Sequence, residues 1–158
     1  MTQTAWTHLS NAKHIDCVIA SLEAHPEKWA EAWHKTYEVV RHSTRAAAFS
    51  KEYNIVCVAS WNAAWNAAWS AVQGAAVRGT IIESTNYSEQ FAIRSAVRAA
   101  GRDTITALIA YDGCAYMIES ELGELKILAK LGDQRAILLM PACMVFNETN
   151  CNCTAINV

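Results

Sequence analysis

The stretch that decides the fold is SWNAAWNAAWSA, residues 60–71, in which Trp61, Trp65 and Trp69 are spaced by four residues. A helix advances roughly 100° per residue, so the three rings drift only about 80° around its axis and form one apolar stripe. Each ring buries ~150–250 Å² when it is covered. The stretch therefore predicts a helix whose stripe packs into a core, with Trp65 buried in its middle.

The composition is typical of a globular helical chain. Of the 158 residues, 53% are hydrophobic and 18% are charged, and only two are proline and six glycine. So few turn-forming residues favour an all-α protein over a β-sandwich. We predict a compact bundle of six or seven helices around the tryptophan-bearing helix. Residues 1–146 are expected to form a single domain, followed by a flexible tail at 147–158.

The sequence carries no signal for export or for a membrane. The first ten residues lack a basic start with an apolar run, and no segment reaches the roughly 18 uninterrupted apolar residues of a membrane span. We expect a cytoplasmic protein in which the six cysteines are free thiols. The net charge of −2 gives no attraction to bulk nucleic acid or to an anionic membrane.

Apolar periodicity divides the first half of the chain into three helices. Pro26 starts the second of them, because proline is tolerated in a first turn and disfavours helix in the residue before it. Trp29 and Trp33 repeat the four-residue spacing, so two tryptophan-bearing faces are expected to meet in one core. Ser50 is the predicted N-cap of the third, tryptophan-bearing helix. The predicted helices cover residues 7–24, 26–48 and 51–77.

Gly101 allows two interpretations of the segment after a predicted loop at 84–87. Either the helix breaks there and Asp103 caps a new helix that runs to about Glu119, or Gly101 is tolerated in one long helix at a cost of ~1 kcal/mol. In both cases Phe91 is expected on the inner face.

The last two predicted helices have clearer boundaries. Residues 121–131 form an amphipathic helix that ends at Gly132. Asp133 is the predicted N-cap of the final helix, residues 134–146. Pro141 is expected to kink or end that helix, because its ring clashes with the preceding turn.

Arg94, Arg98 and Arg102 are spaced by four residues and place three guanidinium groups on one helix face. Each guanidinium can hold a phosphate or a carboxylate through two parallel hydrogen bonds. The three arginines are therefore candidates for binding a nucleotide, another anionic ligand or an acidic partner. The alternative is a row of solvated surface charges.

Asp112 is the other candidate binding residue, because it lies in a strongly apolar segment. A desolvated carboxylate is costly unless it is paired, so Asp112 is expected to find an arginine, a hydroxyl or a backbone cap. A general base beside Cys114 is the functional alternative, although no histidine lies nearby in sequence.

No pattern in the sequence predicts a cofactor, a metal site or a catalytic set. The histidines do not have the spacing of a zinc site, and no glycine-rich phosphate loop or nucleophile elbow occurs. Cys151 and Cys153 form a lone Cys-x-Cys pair in the predicted tail. We therefore expect no enzyme activity. The five histidines are His8, His14, His25, His34 and His42.

Three stretches resemble a loose group of Ala/Trp-repeat proteins of phages and prophages, some of which carry the name immunity protein. The resemblance covers roughly residues 60–146. It implies a small accessory protein of a mobile element that binds and blocks a host defence factor. The stretches are Trp61–Ala71, Thr106–Asp112 with Cys114–Tyr116, and Ala136–Ala142.

These observations favour a non-enzymatic binding protein with a host protein as its partner. The alternative is an oligomer that sequesters a nucleotide or another small molecule through the arginine-bearing face. A hydrolase is the third class, for which no complete catalytic set is visible. A homo-oligomer is also expected, because several aromatic-bearing faces exceed what one small core encloses.

Overall fold

The computed structural model describes residues 4–40, 42–80 and 87–150. These residues form seven α-helices and one 3₁₀ helix, and none of them lies in a strand. The predicted all-α bundle is confirmed. The helices are α1 (Ala12–Ala24), α2 (Pro26–Val39), α3 (His42–Val56), α4 (Ala59–Gly79), α5 (Tyr87–Ala110), the 3₁₀ helix (Cys114–Glu119), α6 (Leu122–Lys130) and α7 (Gln134–Thr149).

Helices α5 and α7 are the most deeply buried parts of the bundle. Every residue of α7 from Ala136 to Phe146 is buried, and so is every residue of α5 from Asp103 to Ala110. Helix α5 packs against α1, α2, α3, α4 and α7. The tryptophan-bearing α4 packs against α1 and α5 and keeps an exposed polar edge at Asn62 and Asn66. Helix α4 therefore covers one side of α5.

The predicted burial of Trp65 is confirmed. Its side chain is 8% exposed, and its indole Nε1 donates a hydrogen bond of 2.8 Å to Thr106 Oγ1 on α5. The Trp65 ring stacks on Trp69 and meets the edge of Tyr53. The spacing of four residues thus produces the expected packing stripe, and a buried hydroxyl satisfies the polar atom of its central ring.

The two tryptophan-bearing faces reach one core from different sides. Helix α2 packs against α5 and α7, whereas α4 packs against α5 and α1. Trp29 is fully buried and donates from Nε1 to Ser21 Oγ. The Trp33 ring lies under the guanidinium of Arg45. The expectation that the two faces meet in one core is confirmed, because Trp29, Trp33 and Trp65 belong to one cluster of buried residues, which α2 and α4 reach by packing on α5.

The predicted boundaries of the second and third helices are wrong. Helix α2 ends one residue before Val40, which is in the extended conformation, and a separate helix α3 follows. Helix α4 begins only after Val58, which is also extended. Ser50 lies inside α3 and caps nothing. A valine side chain loses conformational freedom in a helix, so a helix is readily interrupted at Val40 and at Val58.

Helix α5 is continuous through Gly101, because the glycine allows a close helix contact. A Cβ atom at Gly101 would lie 2.6 Å from Val72 Cγ1 and 2.8 Å from Leu22 Cδ1. Of the two interpretations of this segment, one long helix is confirmed, and a break with Asp103 as a cap is wrong. Helix α5 ends at Ala110, and Gly113 with φ of 72° precedes the 3₁₀ helix.

The predicted cap of the last helix is confirmed, but its end is not. The Asp133 carboxylate accepts from the backbone N–H groups of Arg135 and Ala136. Helix α7 then continues through Pro141 to Thr149, since the burial of its apolar residues outweighs the missing hydrogen bond. The predicted tail thus begins inside α7. Its residues 151–158 lie outside the described residues, as do residues 84–86 of the predicted loop. Tyr87, the last residue of that predicted loop, instead begins α5.

Candidate binding site on helix α5

Five side chains share one face of the first two-thirds of α5. With a helical advance of roughly 100° per residue, they fall within an arc of about 80°. We call Tyr87 and Phe91 the aromatic pair, and Arg94, Arg98 and Arg102 the arginine row. Tyr87 is 83% exposed and Phe91 is 62% exposed, whereas the three arginines are half-buried.

The aromatic pair is exposed because α5 begins beyond the end of α4. The two helices run antiparallel: Trp65 pairs with Thr106, and Thr80 at the end of α4 pairs with Arg94. The turns of α5 before Arg94 therefore extend past α4. The prediction that Phe91 faces inward is wrong for this reason.

Arg94 and Arg102 have partners, and Arg98 has none among the described residues. Arg94 Nε donates 2.9 Å to Thr80 Oγ1. The Arg102 guanidinium lies 4.1 Å from the centre of the Phe49 ring, and its Nη2 is 3.6 Å from Asp103 Oδ1. The Nε atoms of Arg98 and Arg102 are buried without a hydrogen-bond acceptor. The row thus has unused donors at its centre.

Helix α4, which packs along α5, supplies no counter-charge to the arginine row. Its 21 residues contain no aspartate or glutamate. Asp103 is the carboxylate within reach of Arg102, and its other oxygen already accepts from Arg45. Guanidinium groups stay protonated at all physiological pH values. The row is therefore a region of positive charge that the described residues leave largely uncompensated.

Aromatic rings from α3 and α4 form a ledge beside the row. Phe49 stacks near Tyr53, Tyr53 meets Trp65, and Trp65 stacks on Trp69. Trp69 is the last ring of this series and, because α4 and α5 are antiparallel, lies level with the turn of α5 that carries Arg102. Phe49, at the other end of the series, contacts the Arg102 guanidinium and so joins the ledge to the row.

Asp112 lies apart from the arginine row, in the turn after α5. It is exposed, so the expectation of a desolvated carboxylate is wrong. The expected hydroxyl partner is present, because Ser10 Oγ donates 3.1 Å to Asp112 Oδ1. The same hydroxyl accepts from the backbone N–H of Gly113. These contacts join the segment before α1 to the turn that follows α5.

Cys114 is not activated as a nucleophile. Its thiol is buried next to Asn11, and burial raises its pKa to about 11. At neutral pH the reactive thiolate is therefore scarce. Across the described part of the chain, no three His, Cys, Asp or Glu side chains are grouped so that they could hold a metal ion.

A buried ion pair between α3 and α5 was missed by the sequence-based predictions. Arg45 Nη1 donates 2.8 Å to Asp103 Oδ2, and both side chains are almost completely buried. The Arg45 guanidinium also lies over the rings of Trp33 and Tyr37 and donates to the Tyr37 hydroxyl. The only signal in the sequence was Asp103 itself, an acid in an apolar helix, and it was interpreted as a cap.

Glu52 is a second buried acid that the sequence did not single out. It is fully buried on α3, and neither of its carboxylate oxygens accepts a well-formed hydrogen bond. Burial raises its pKa, while the neighbouring Tyr111 phenol lowers it by less. Burial, together with Glu52, raises the pKa of Tyr111 to about 12. Glu52 is closed to solvent and Tyr111 is half-buried, and the two lie at the far end of α5 from the aromatic pair.

Two further observations bear on function. Within the residues described, no helix has both the length and the apolar character to cross a membrane. No protein-family model, curated protein or solved structure matches this chain. The resemblance to the phage group therefore depends on the sequence stretches that carry it, and function has to be argued from the face of α5.

Proposed function

We propose that this protein is a non-enzymatic, cytoplasmic binding protein, encoded by a phage, that covers a surface of a host defence protein. The observation that carries the proposal is the exposed aromatic pair, Tyr87 and Phe91, in line with the arginine row on the same helix face. Aromatic residues and arginine are the side chains most enriched at protein interfaces.

The aromatic pair provides the apolar anchor for such a complex. Burying a phenylalanine side chain stabilises a complex by about 1.5–3 kcal/mol relative to leaving it in water. Two neighbouring rings on a rigid helix lose little conformational freedom on binding. The pair therefore fits a shallow apolar pocket on a partner.

The arginine row determines the chemistry of the partner. Arg98 has no partner among the described residues, and α4 supplies no carboxylate. A partner with carboxylates beside its apolar pocket would neutralise the row and be attracted to it before contact. We therefore propose an acidic protein surface as the target.

The residues singled out for chemistry support binding over catalysis. Asp112 is exposed and accepts from Ser10, and Cys114 is buried with a raised pKa. A general base and a nucleophile have to lie within hydrogen-bond reach of each other and of a substrate. Asp112 and Cys114 do not form such a pair of base and nucleophile.

The test is affinity capture from a bacterial lysate with three forms of the protein. We expect wild type to retain an acidic protein, Phe91→Ser to lose it, and Tyr116→Ser to retain it. Tyr116 is the matched control, because it is also exposed and lies on the 3₁₀ helix beyond the other end of α5. A protein that all three forms retain equally would contradict the proposal.

A further inference from the structure

We infer that Arg98 and Arg102 form a binding site for a diphosphate group, free or carried by a nucleotide. The inference shares the arginine row with the proposed function but does not use the aromatic pair. It depends on the half-buried guanidiniums of the two residues, on the charge around them and on their spacing.

The guanidinium of Arg98 is half-buried, with a closed side and an open side. Its Nε is closed to solvent and has no acceptor, so a ligand would meet the Nη groups on the open side. A half-buried guanidinium is costly without acceptors, because it loses water on one side and gains nothing in return. An oxyanion would supply acceptors on the side that remains open.

The surrounding charge favours an anion. Arg94 and Arg102 lie one turn before and one turn after Arg98, and α4 contributes no acid. Asp103 is shared with Arg45, so it does not neutralise the row. Three like charges on one helix face repel one another, and a bound anion would relieve that repulsion.

The spacing favours two phosphate groups over one. Side chains four residues apart on a helix have Cβ atoms about 5–6 Å apart. Each guanidinium fork matches one phosphate group through two hydrogen bonds. Phe49 holds the Arg102 guanidinium from below at 4.1 Å, so its orientation is largely set before the ligand arrives. Two adjacent forks of this kind fit a diphosphate.

The test measures thermal unfolding with about 10 mM sodium pyrophosphate, and separately with ADP, against sodium chloride of equal ionic strength. A ligand that binds only the folded chain raises the melting temperature, here by about 3 °C or more. Arg98→Gln should lose the shift, and Arg98→Lys should keep part of it. Arg78→Gln is the matched control, because Arg78 is an exposed arginine of α4 that pairs with Glu23 away from the row.

The outcomes are distinct from those of the capture experiment. A shift that persists in Phe91→Ser and in Arg78→Gln but disappears in Arg98→Gln supports the site, whether or not any protein is captured. If only ADP acts, the diphosphate comes from a nucleotide; if pyrophosphate acts equally, the diphosphate alone is recognised. No shift with either anion, or the same shift in Arg98→Gln, overturns the inference.

Discussion

Arg45 and Asp103, 58 residues apart in sequence, form an ion pair of 2.8 Å in the interior, where their side chains are 7% and 1% exposed. The pair ties α3 to the middle of α5, one residue from the end of the arginine row. Removing one partner from such a pair leaves an uncompensated buried charge, which costs more than the pair itself contributes.

We expect Arg45→Ala to lower the free energy of unfolding by about 3–5 kcal/mol. The double variant Arg45→Met with Asp103→Leu should recover most of that loss, because no charge is left without a partner. Urea unfolding of the two variants and wild type measures both effects. Equal stability of Arg45→Ala and wild type would show that the pair is not buried.

The contribution of Asp103 to stability should fall as the pH rises from about 4 to 7. Burial raises the pKa of Asp103 to about 6, although Arg45 and Arg102 oppose the shift. A raised folded-state pKa stabilises the protein below the unfolded value near 3.9, and that contribution is lost as the pH passes 6. A difference of about two pKa units between the folded and unfolded states corresponds to roughly 3 kcal/mol of stability.

The difference between wild type and Asp103→Asn isolates this effect, because other groups titrate equally in both. Burial also raises the pKa of Glu52, so Glu52→Gln should flatten the profile in the same direction. Urea unfolding at several pH values measures the slopes. Parallel profiles for wild type and Asp103→Asn would contradict the prediction.

Trp65→Ala should destabilise the protein by ~3–5 kcal/mol, as expected when a large buried aromatic side chain is deleted. The cavity would adjoin Tyr53 and Trp69, and Thr106 would lose a hydrogen-bond donor. Trp65→Phe should cost less, since it keeps most of the packing. A thermal melt of Trp65→Ala that matches wild type would show that the stripe is not part of the core.

Gly101→Ala should destabilise the protein by about 1–3 kcal/mol, although alanine is the better helix former. The added methyl group would overlap Val72 and Leu22, which belong to two different helices. Gly123→Ala is the matched control, because nothing lies within 4 Å of its Cβ position in α6. We expect the control to be neutral or slightly stabilising, and a stabilised Gly101→Ala would show that α5 does not approach α4 and α1 so closely.

Self-association stays a prediction, and α6 offers a surface for it. Ile127 on that helix and Leu131 directly after its end are exposed, although Trp29, Trp33 and Trp65 are enclosed in the core. We expect light scattering at micromolar concentrations to give a mass above 17.4 kDa, and Leu131→Glu to reduce it. A mass of 17.4 kDa for wild type would rule out a homo-oligomer.

The sequence by itself determined the elements that depend on local interactions. The tryptophan spacing predicted a helix with Trp65 inside, and Asp133 was recognised as a cap because the hydrogen bonds of a cap join residues two or three positions apart. The arginine row was also visible, since its spacing is a property of one helix.

Only the tertiary structure decided which faces are covered and which polar groups meet. Phe91 has the pattern of an inner residue, but it is exposed because α4 ends level with Arg94. Gly101 does not break α5 because Leu22 and Val72 approach it from other helices. Arg45 meets Asp103 across 58 residues. Contacts of this kind depend on where helices end and how they pack, and hydrophobic periodicity within one helix carries no information about either.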